Sequence, residues 1–576
     1  MAPRWRTREP DPELVRKLCR ETGLPRVVAR ILVARGHEDG GATERHLRAS
    51  PMGLHDPFLL PGMEAAADRL QRAIRDGETI LVHGDYDVDG VTGTSLLMRL
   101  LSLVGARAAW HIPNRLTDGY SFGPHSIARA EETGAGVVIS VDNGTSAHEV
   151  IGQLKERGVD TVVTDHHEAS PGPLPDAAAI VNPKLPGSTY PWRELCGGAV
   201  AFKLAWGLAQ RLSGAKRVSP ELKGFLEDAM AYVAIATVCD VVPLLDENRI
   251  FARGGLKALE QTQNPGLRAM LGVCGLLGRR LSADDVGFQV GPRINASGRL
   301  GSAQRAVDLL LASDEESARR LAGELDELNN RRKEIESGVL AEARAQATDF
   351  ADADENPVLV LAGEGWHQGV VGIVAARITE EMGRPAIVIG LDGELGRGSA
   401  RTVAGFHVLE AMSGGAEHML RFGGHAQAAG CEVRPERVDD LRRAICAKAR
   451  TMLDGGGFEA PELWIDAELA FEDVGQELMS WVDRLEPFGE GNAEPVFRAR
   501  DLRLAEPPRE VGREGGHLLV RLRRGDHALK AMGFGLGGRI GELAMGRPID
   551  AAFSPRWNTF RGETNLELTL HDFRSE

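Results

Sequence analysis

The sequence lacks the features that mark secreted and membrane proteins. Its six cysteines among 576 residues include no Cys-x-x-Cys pair, which argues against a disulfide framework and against a zinc ribbon. No apolar run approaches the ~20 residues needed to cross a bilayer. The first residues, MAPRWRTREPDPEL, contain no apolar segment like that of a signal peptide. We therefore expect a cytoplasmic protein without a membrane anchor.

The chain also has no net positive charge, and aromatic side chains are scarce. The formal net charge is −15, and aromatic residues make up 5% of the chain. An acidic total counts against a nucleic-acid-binding protein but does not exclude one, because binding depends on local basic patches. Any base stacking must then rest on a few side chains. Tyr120, Phe122, Trp557 and Phe560 are candidates, and each fits a hydrophobic core equally well.

The chain is too long for one hydrophobic core and changes texture along its length. Apolar strands alternate with helical stretches in its first half, which is typical of a doubly wound, mostly parallel sheet. Short alternating strands near the C-terminus are typical of a small β-barrel, such as an OB fold. We predict an N-terminal segment (1–61), an α/β domain (62–312), a connecting helix (313–350), a second α/β domain (351–455) and a β domain (456–576).

The most informative stretch is HGDYDVDG, which directly follows the apolar run Ile80–Val82. It places His83, Asp85, Asp87 and Asp89 within seven residues. Carboxylates this close repel one another and resist burial unless a cation holds them. Oxygen ligands combined with an imidazole suit Mn²⁺ or Mg²⁺. The pattern predicts a divalent-metal site, and the alternative is a solvated Asp-rich turn.

Other predicted strands end in side chains of the same kind. Asp142 follows one of them, and Asp165, His166 and His167 follow the next. In a doubly wound sheet the carboxyl ends of the strands meet at one edge, so these residues should lie together. Asp240 interrupts an apolar helical run. A lone carboxylate there needs a partner, and we interpret it as a further ligand, with a helix cap or an arginine ion pair as alternatives.

These motifs resemble those of the DHH phosphoesterase superfamily. HGDYDVDG, VDNG, TDHHE and Asp240 match its catalytic domain, and GRGSAR and GGHAQAAG match its DHH-associated domain. HDPFLLPGM, IPNRLTDGY, GPRINASGR and LEPFGEGNAEPVF resemble the superfamily's single-strand-specific DNA exonucleases, with one departure, since the family's GYG reads Gly119-Tyr120-Ser121 here. The resemblance implies a doubly wound α/β DHH domain joined by a long helix to a smaller α/β DHH-associated domain, followed by a C-terminal OB-like β-barrel.

The resemblance also implies roles for individual residues. His83 and Asp87 would bind one divalent cation and Asp89 the other, and Asp142 would bridge the two. The implied metal ligands are His83, Asp87, Asp89, Asp142, His166 and Asp240. The residues implied beside the ligands are Asp85, Asp165, which would orient His166, and His167, which would face the scissile phosphate. The residues expected to bind DNA are Arg115, Arg293, Arg299, Arg397, Ser399, Arg401, Gly423, Gly424 and His425.

The activity implied by the resemblance is that of a 5′→3′ exonuclease on single-stranded DNA. It would use two divalent cations, Mn²⁺ or Mg²⁺, release 5′-mononucleotides and serve DNA repair and recombination. Single-strand-binding protein and a helicase would be its partners, and the chain would be a monomer. Alternatives are a DHH phosphodiesterase acting on short oligonucleotides or cyclic dinucleotides, a pyrophosphatase, and a scaffold without catalysis. The OB-like domain disfavours the first two, and the complete ligand set disfavours the third.

Overall fold

The computed structural model describes residues 3–115, 118, 122–512, 515–560 and 563–575. The residues Gly119-Tyr120-Ser121 and the side chain of Phe560 lie outside this description. The strands are, in chain order, β1 (Arg4–Thr7), β2 (Thr79–Gly84), β3 (Ala108–His111), β4 (Ala135–Val141), β5 (Asp160–Thr164), β6 (Ala179–Val181), β7 (Leu359–Glu364), β8 (Ala386–Asp392), β9 (Leu395–Arg401), β10 (Met419–Gly424), β11 (Ala428–Val433), β12 (Glu462–Ile465), β13 (Ala467–Glu468), β14 (Phe497–Leu504), β15 (Arg509–Val511), β16 (His517–Arg524), β17 (His527–Gly533), β18 (Ile549–Phe560) and β19 (Glu563–Ser575).

Helices fill most of the intervals between these strands. They are α1 (Pro12–Thr22), α2 (Arg26–Ala34), α3 (Gly40–Arg48), α4 (Met63–Asp76), α5 (Val88–Leu103), α6 (Pro124–Thr133), α7 (His148–Glu156), α8 (Gly197–Ser213), α9 (Pro220–Cys239), α10 (Asp246–Glu260), α11 (Pro265–Val273), α12 (Ala283–Asp285), α13 (Gly291–Leu300), α14 (Gln304–Leu311), α15 (Glu315–Asp349), α16 (Gln368–Met382), α17 (Val408–Ser413), α18 (Val438–Leu453) and α19 (Gln476–Leu485). A π-helical segment (Val286–Val290) joins α12 to α13. No helix among the described residues is long and apolar enough to span a bilayer.

The first sheet has five strands in the order β3-β2-β4-β5-β6, and all of its pairings are parallel. Its inner strands are buried apolar runs, as the sequence analysis expected. From β2 the chain adds β3 on one side and β4 on the other. The topological switch point therefore lies between β2 and β4, where doubly wound sheets bind their ligands.

Glycines let α5 pack unusually close to this sheet. A Cβ at Gly90 would lie 2.5 Å from the backbone nitrogen of Asp85, and a Cβ at Gly93 would lie 2.6 Å from a methyl carbon of Val141. Contacts this short do not occur for real side chains, so each position requires glycine. The HGDYDVDG turn is thereby held against the end of β4.

The long helix α15 connects this domain to a second sheet. Its N-cap residue Asp314 accepts a hydrogen bond from the backbone N–H of Ser317, and its 35 residues give a length of about 52 Å. Its C-terminal half packs Val339 and Ala343 against α16. The second sheet has the order β10-β11-β9-β8-β7. The α/β fold class and the connecting helix are thus confirmed.

The C-terminal strands form a separate mixed sheet. Its order is β13-β14-β18-β19-β17-β16-β15, and an additional pairing joins β14 to β16. This pairing closes a ring of five strands, the number found in OB folds. The N-terminal helices α1 and α2 bury Leu18, Ile31 and Leu32 in the same core as Phe497 and Phe553. The sequence alone indicates no partner for the N-terminal segment.

The chain thus divides into two compact units. One contains Asp56–Asp240 and Gly255–Ala460, with the first two sheets and α15. The other contains Ala2–His55, Val241–Gly254 and Pro461–Glu576.

Replacing Gly93 by alanine should destabilise the first unit. The new methyl group would press on Val141 in a packed interior, and such overpacking costs about 1–3 kcal/mol. Gly152 is the matched control, because it is also helical and a Cβ there meets nothing within 4 Å. Gly152→Ala should stabilise its helix by up to about 1 kcal/mol. Urea unfolding followed by circular dichroism measures both, and equal effects of the two substitutions would contradict this packing.

Candidate metal centre

The carboxyl ends of β2, β4 and β5 bring the acidic and imidazole side chains of the sequence motifs together. They form three overlapping groups, within each of which one potential ligand atom per residue lies within 4.8 Å of the others. The groups are Asp85, Asp87 and Asp142; Asp89, His166 and Asp240; and Asp142, His166 and His167. The edge of the sheet therefore holds two adjoining sets of ligands, and Asp142 lies between them.

The first set consists of three carboxylates. Asp85 is buried, and Asp87 is the N-cap of α5, whose Oδ1 accepts hydrogen bonds from the backbone N–H groups of Asp89 and Gly90. Asp142 adopts a φ of 63°. This left-handed conformation is uncommon for residues other than glycine, and such backbone outliers cluster at functional sites. Here it turns the chain sharply at the end of β4.

The second set combines two carboxylates with an imidazole. The Nε2 atom of His166 lies 3.1 Å from Oδ1 of Asp142, 3.7 Å from Oδ2 of Asp240 and 3.9 Å from Oδ2 of Asp89. Ligand atoms around one octahedral cation with bonds of about 2.1 Å lie about 3 Å apart. The observed spacing is therefore close to that of a metal site.

The N-terminus of α8 fixes Asp89 in this set. The two oxygens of Asp89 accept hydrogen bonds from the backbone N–H groups of Gly197, at 2.6 Å, and Gly198, at 2.7 Å. The positive end of the helix dipole favours a carboxylate at this position. A Cβ at Gly197 would lie 2.6 Å from the Cβ of Asp142, so glycine allows α8 to approach both carboxylates. Asp240 is the C-cap of α9.

Ligand atoms in both sets are buried without a hydrogen-bond partner. Among the described residues these atoms include Oδ1 of Asp85, Oδ1 of Asp142, Oδ2 of Asp240 and both ring nitrogens of His166. An orphaned polar atom in the interior costs free energy comparable to a lost hydrogen bond. Oxygens and an imidazole nitrogen that face one another without a hydrogen bond fit a divalent cation, whose preferred ligands these are.

Burial has a strong effect on the acidity of these groups. Burial and then the carboxylates of Asp89 and Asp87 raise the pKa of Asp240 to about 9. Burial and then the same neighbours, with Asp85, raise the pKa of Asp142 well above its usual value. A protein without cations would therefore hold protons at this edge near neutral pH. A bound cation favours the ionised form and releases those protons.

His167 lies at the rim, and Asp165 holds its ring. Oδ1 of Asp165 lies 2.7 Å from Nδ1 of His167 and also accepts a hydrogen bond from the backbone N–H of His166, and Oδ2 accepts one from Thr145. Although burial opposes both shifts, the hydrogen bond between the two side chains lowers the pKa of Asp165 to about 2 and raises that of His167. Asp165 thus orients the His167 ring, whereas the sequence analysis paired it with the ring of His166.

The structure groups His83 differently from the sequence analysis. Nε2 of His83 lies 2.9 Å from the Ser126 hydroxyl, and one of its ring nitrogens groups with one each from His111 and His125. Asp85 occupies the place beside Asp87 that the sequence analysis gave to His83. The sequence gives little indication of this histidine group, because His111 and His125 lie in different elements and their spacing matches no metal-binding motif.

Three of the predicted DNA-binding arginines influence one another electrostatically. Burial and then the charges of Arg115, Arg332 and Arg401 lower the pKa of Arg299 to about 10. Burial and then Arg115 lower the pKa of Arg401. Arg299 donates a hydrogen bond to the backbone carbonyl of Gly369, and Arg401 donates to that of Ala400 and to a hydroxyl. Such a concentration of positive charge is suited to a phosphate.

The other predicted DNA-binding residues lie in different surroundings. Arg293 forms an ion pair with Asp326, and Arg397 forms one with Glu432. Ser399 accepts a hydrogen bond from Arg401. The remaining predicted residues, Gly423, Gly424 and His425, form the exposed end of the β10–β11 hairpin. Gly424 has a φ of 143°, and a Cβ there would lie 2.4 Å from the carbonyl oxygen of Ala428, so this glycine is required by the turn.

Each of the three larger sheets coincides with a known domain family. The DHH family N-terminal domain matches residues 79–236, the DHHA1 domain matches 355–451, and the RecJ OB domain matches 465–572. The single-stranded-DNA-specific exonuclease RecJ of Bacillus subtilis is 37% identical over 99% of this chain and 70% of its own length. The protein of the same name from Dickeya dadantii is 36% identical over 95% of this chain and 96% of its own length. The chain belongs to the RecJ family.

Solved RecJ structures support this assignment. The crystal structure of RecJ from Thermus thermophilus in complex with Mn²⁺ superposes with a TM-score of 0.81 at 30% sequence identity. The match spans 99% of this chain and 79% of the Thermus thermophilus chain. The corresponding Mg²⁺ complex gives a TM-score of 0.76 at 29% identity, and the match spans 99% of this chain and 78% of the chain in that complex. The expected family and the expected OB domain are both confirmed, and relatives in the RecJ family have been crystallised with the two cations that the donor atoms here suit.

The metal-free protein should lose stability as the pH rises. A carboxyl whose pKa is raised by folding contributes stability that is complete below its unfolded pKa and is lost as the pH rises through the folded pKa, here about 9 for Asp240. The melting temperature of EDTA-treated protein should therefore fall between about pH 5 and about pH 9. Added MnCl₂ should raise it most at the alkaline end, because cations bind the ionised carboxylates.

Asp240→Asn is the control for this titration, because asparagine keeps the shape of the side chain but has no carboxyl group to titrate. Its metal-free melting temperature should depend less on pH than that of the parent protein. Parallel pH profiles for the two proteins, measured by differential scanning fluorimetry, would show that Asp240 does not have the raised pKa.

Proposed function

We propose that this chain is a single-stranded-DNA-specific exonuclease that hydrolyses phosphodiester bonds with two divalent cations, Mn²⁺ or Mg²⁺. The observation that carries the proposal is the pair of adjoining ligand sets at the sheet edge, in which several buried ligand atoms have no hydrogen-bond partner. Membership of the RecJ family supports the substrate, since the relatives carry this activity in their names.

The proposed ligands follow the two sets at the sheet edge. One cation would be held by Asp85, Asp87 and Asp142, and the other by Asp89, His166 and Asp240 with Asp142 between them. This assignment replaces His83 by Asp85. Cations in these positions supply Lewis-acid chemistry, since two metals a few ångströms apart make water more acidic and offset the charge that develops on phosphate oxygens.

The chain's own groups bind the substrate and hold protons around this centre. His167 is half-exposed, and its Nδ1 lies 3.8 Å from Oδ1 of Asp142. Asp165 holds Nδ1 of His167, and the ring would face the scissile phosphate and its leaving oxygen. The raised pKa of His167 favours the protonated, donating form. Asp165 is thereby a positioning residue for His167.

The cluster formed by Arg115, Arg299 and Arg401 would set the direction in which the proposed enzyme degrades a strand. Arg115, Arg299 and Arg401 would bind the terminal 5′-phosphate, and the N-terminus of α16 adds backbone N–H groups that favour an anion. A Cβ at Gly369 in that first turn would lie 2.3 Å from the carbonyl oxygen of Arg299, so the helix end and the arginines adjoin. A strand anchored by its 5′-end would present its first phosphodiester to the cations, which implies 5′→3′ degradation and 5′-mononucleotide products.

The OB unit supplies a surface for the remaining strand. Phe534 and Trp557 are 53% and 38% exposed, and the guanidinium of Arg556 lies 5.6 Å from the Phe534 ring centroid. Exposed aromatic rings beside a cation are suited to base stacking, worth about 1–3 kcal/mol per base. Phe122, another candidate platform, is 9% exposed and packs on His83, so it belongs to the core.

The remaining assignments are proposals from the family resemblance. The domain division is that given above, with the DHH domain at 62–312 and the OB-like domain from 456 onward. The enzyme would act as a cytoplasmic monomer in DNA repair and recombination. A helicase would supply single strands, and single-strand-binding protein would be a further partner.

Asp142→Asn should abolish the nuclease activity. The substitution removes the carboxylate shared by both ligand sets, and losing several kcal/mol of metal-dependent stabilisation lowers kcat by about 10³-fold. Release of nucleotides from end-labelled single-stranded and double-stranded DNA with MnCl₂ measures the effect. The control is Asp354→Asn, at an exposed carboxylate, which should keep full activity. Undiminished activity of Asp142→Asn, or preference for duplex DNA, would contradict the proposal.

Arg401→Ala should weaken recognition of the 5′-phosphate. Loss of a charge-assisted hydrogen bond costs about 1.5–3 kcal/mol, so KM for 5′-phosphorylated strands should rise about 10–100-fold, with a smaller change in kcat. Strands ending in a 5′-hydroxyl should be cleaved as by the parent protein. The control is Arg443→Ala, at an exposed arginine paired with Asp440. Equal losses on both kinds of strand would contradict this role for Arg401.

A further inference from the structure

Three histidines meet beside the carboxylate sets but outside them. His83 is the last residue but one of β2, His111 is the last residue of β3, and His125 lies in the first turn of α6. One ring nitrogen of each lies within 4.8 Å of the others. Unlike the neighbouring carboxylate sets, this group contains no oxygen ligand.

The ring positions match those of three imidazoles around one cation. The centroids of His83 and His111 are 5.1 Å apart, those of His111 and His125 are 5.4 Å apart, and those of His83 and His125 are 5.7 Å apart. Three imidazoles on a tetrahedral zinc ion, with Zn–N bonds of about 2.1 Å, have centroids about 5.3 Å apart. The ring centroids therefore already lie at about the spacing of three imidazoles on one cation.

The hydrogen bonding of His83 also resembles that of a ligand. Its side chain is completely buried, one ring nitrogen lies 2.9 Å from the Ser126 hydroxyl, and the other, Nδ1, has no hydrogen-bond partner. Histidines that bind metals usually engage their second nitrogen in such a hydrogen bond, which fixes the tautomer. Nε2 of His111 is likewise buried and unpaired.

We propose that His83, His111 and His125 form a third metal site, which binds Zn²⁺ or a similar transition-metal ion with solvent in the fourth position. Imidazole ligands select zinc-type ions, whereas the carboxylate sets select Mn²⁺ and Mg²⁺. The ion would tie the ends of β2 and β3 to the start of α6. It would be a structural cation beside the catalytic pair and would take no part in hydrolysis.

Zinc binding to the full-length protein tests the site. The protein is stripped with EDTA, dialysed against excess MnCl₂ to fill the carboxylate sets, titrated with ZnCl₂ and passed through a desalting column. The zinc bound per chain is then measured by inductively coupled plasma mass spectrometry. The parent protein should retain one zinc per chain. His111→Gln and His125→Gln should each bind zinc at least about tenfold more weakly, and Co²⁺ should give the visible absorption of a tetrahedral complex only with the parent protein.

Two controls separate this site from its neighbours. His148→Gln, at an exposed histidine of α7, should retain zinc fully. Asp240→Asn should retain zinc while binding Mn²⁺ more weakly, which shows that the zinc is outside the carboxylate sets. Zinc counting does not require nuclease activity, so the result is independent of the proposed function. Absence of zinc from the parent protein, equal zinc in the histidine variants, or loss of zinc in Asp240→Asn would overturn the proposal.

Discussion

The folded structure must accommodate like charges that are buried together at the switch point of a parallel sheet. Asp85, Asp89 and Asp142 are almost completely buried, and mutual repulsion together with lost hydration makes their ionised forms unfavourable. Some relief comes from the chain itself, since the N-terminus of α8 binds Asp89. The orphaned oxygens that remain are suited to divalent cations. The closely packed glycines and the left-handed Asp142 are means of bringing these oxygens to one place.

The two kinds of ligand set differ in chemistry although they share an edge of the sheet. The carboxylate-rich sets offer hard oxygens, which favour Mn²⁺ and Mg²⁺, and the histidine group offers nitrogens alone. His83 lies within β2, whereas Asp85 follows the end of the strand, so the turn after β2 separates the two side chains.

Much of the fold and of the metal centre could be predicted from the sequence, because the metal-binding motifs directly follow apolar strands. Each apolar run ends in its polar motif, and parallel strands bring such ends together, so the grouping of Asp142 and His166 with Asp89 follows from topology. Asp240 could be recognised since a buried carboxylate needs a partner. The partner of His83 could not be predicted, because it depends on the placement of Ser126 and His125 in α6. Arg293 and Arg299 lie on the same helix, α13. Arg293 is neutralised because α15 places Asp326 beside it, and the sequence does not indicate this contact between the two helices.

The central claim, that two cations stabilise the buried carboxylates, is tested most directly by anomalous X-ray diffraction from crystals grown with MnCl₂. The account predicts two manganese peaks, one among Asp85, Asp87 and Asp142 and the other among Asp89, His166 and Asp240. A single peak, or carboxylates that pair with protons or arginines in the presence of excess manganese, would contradict it.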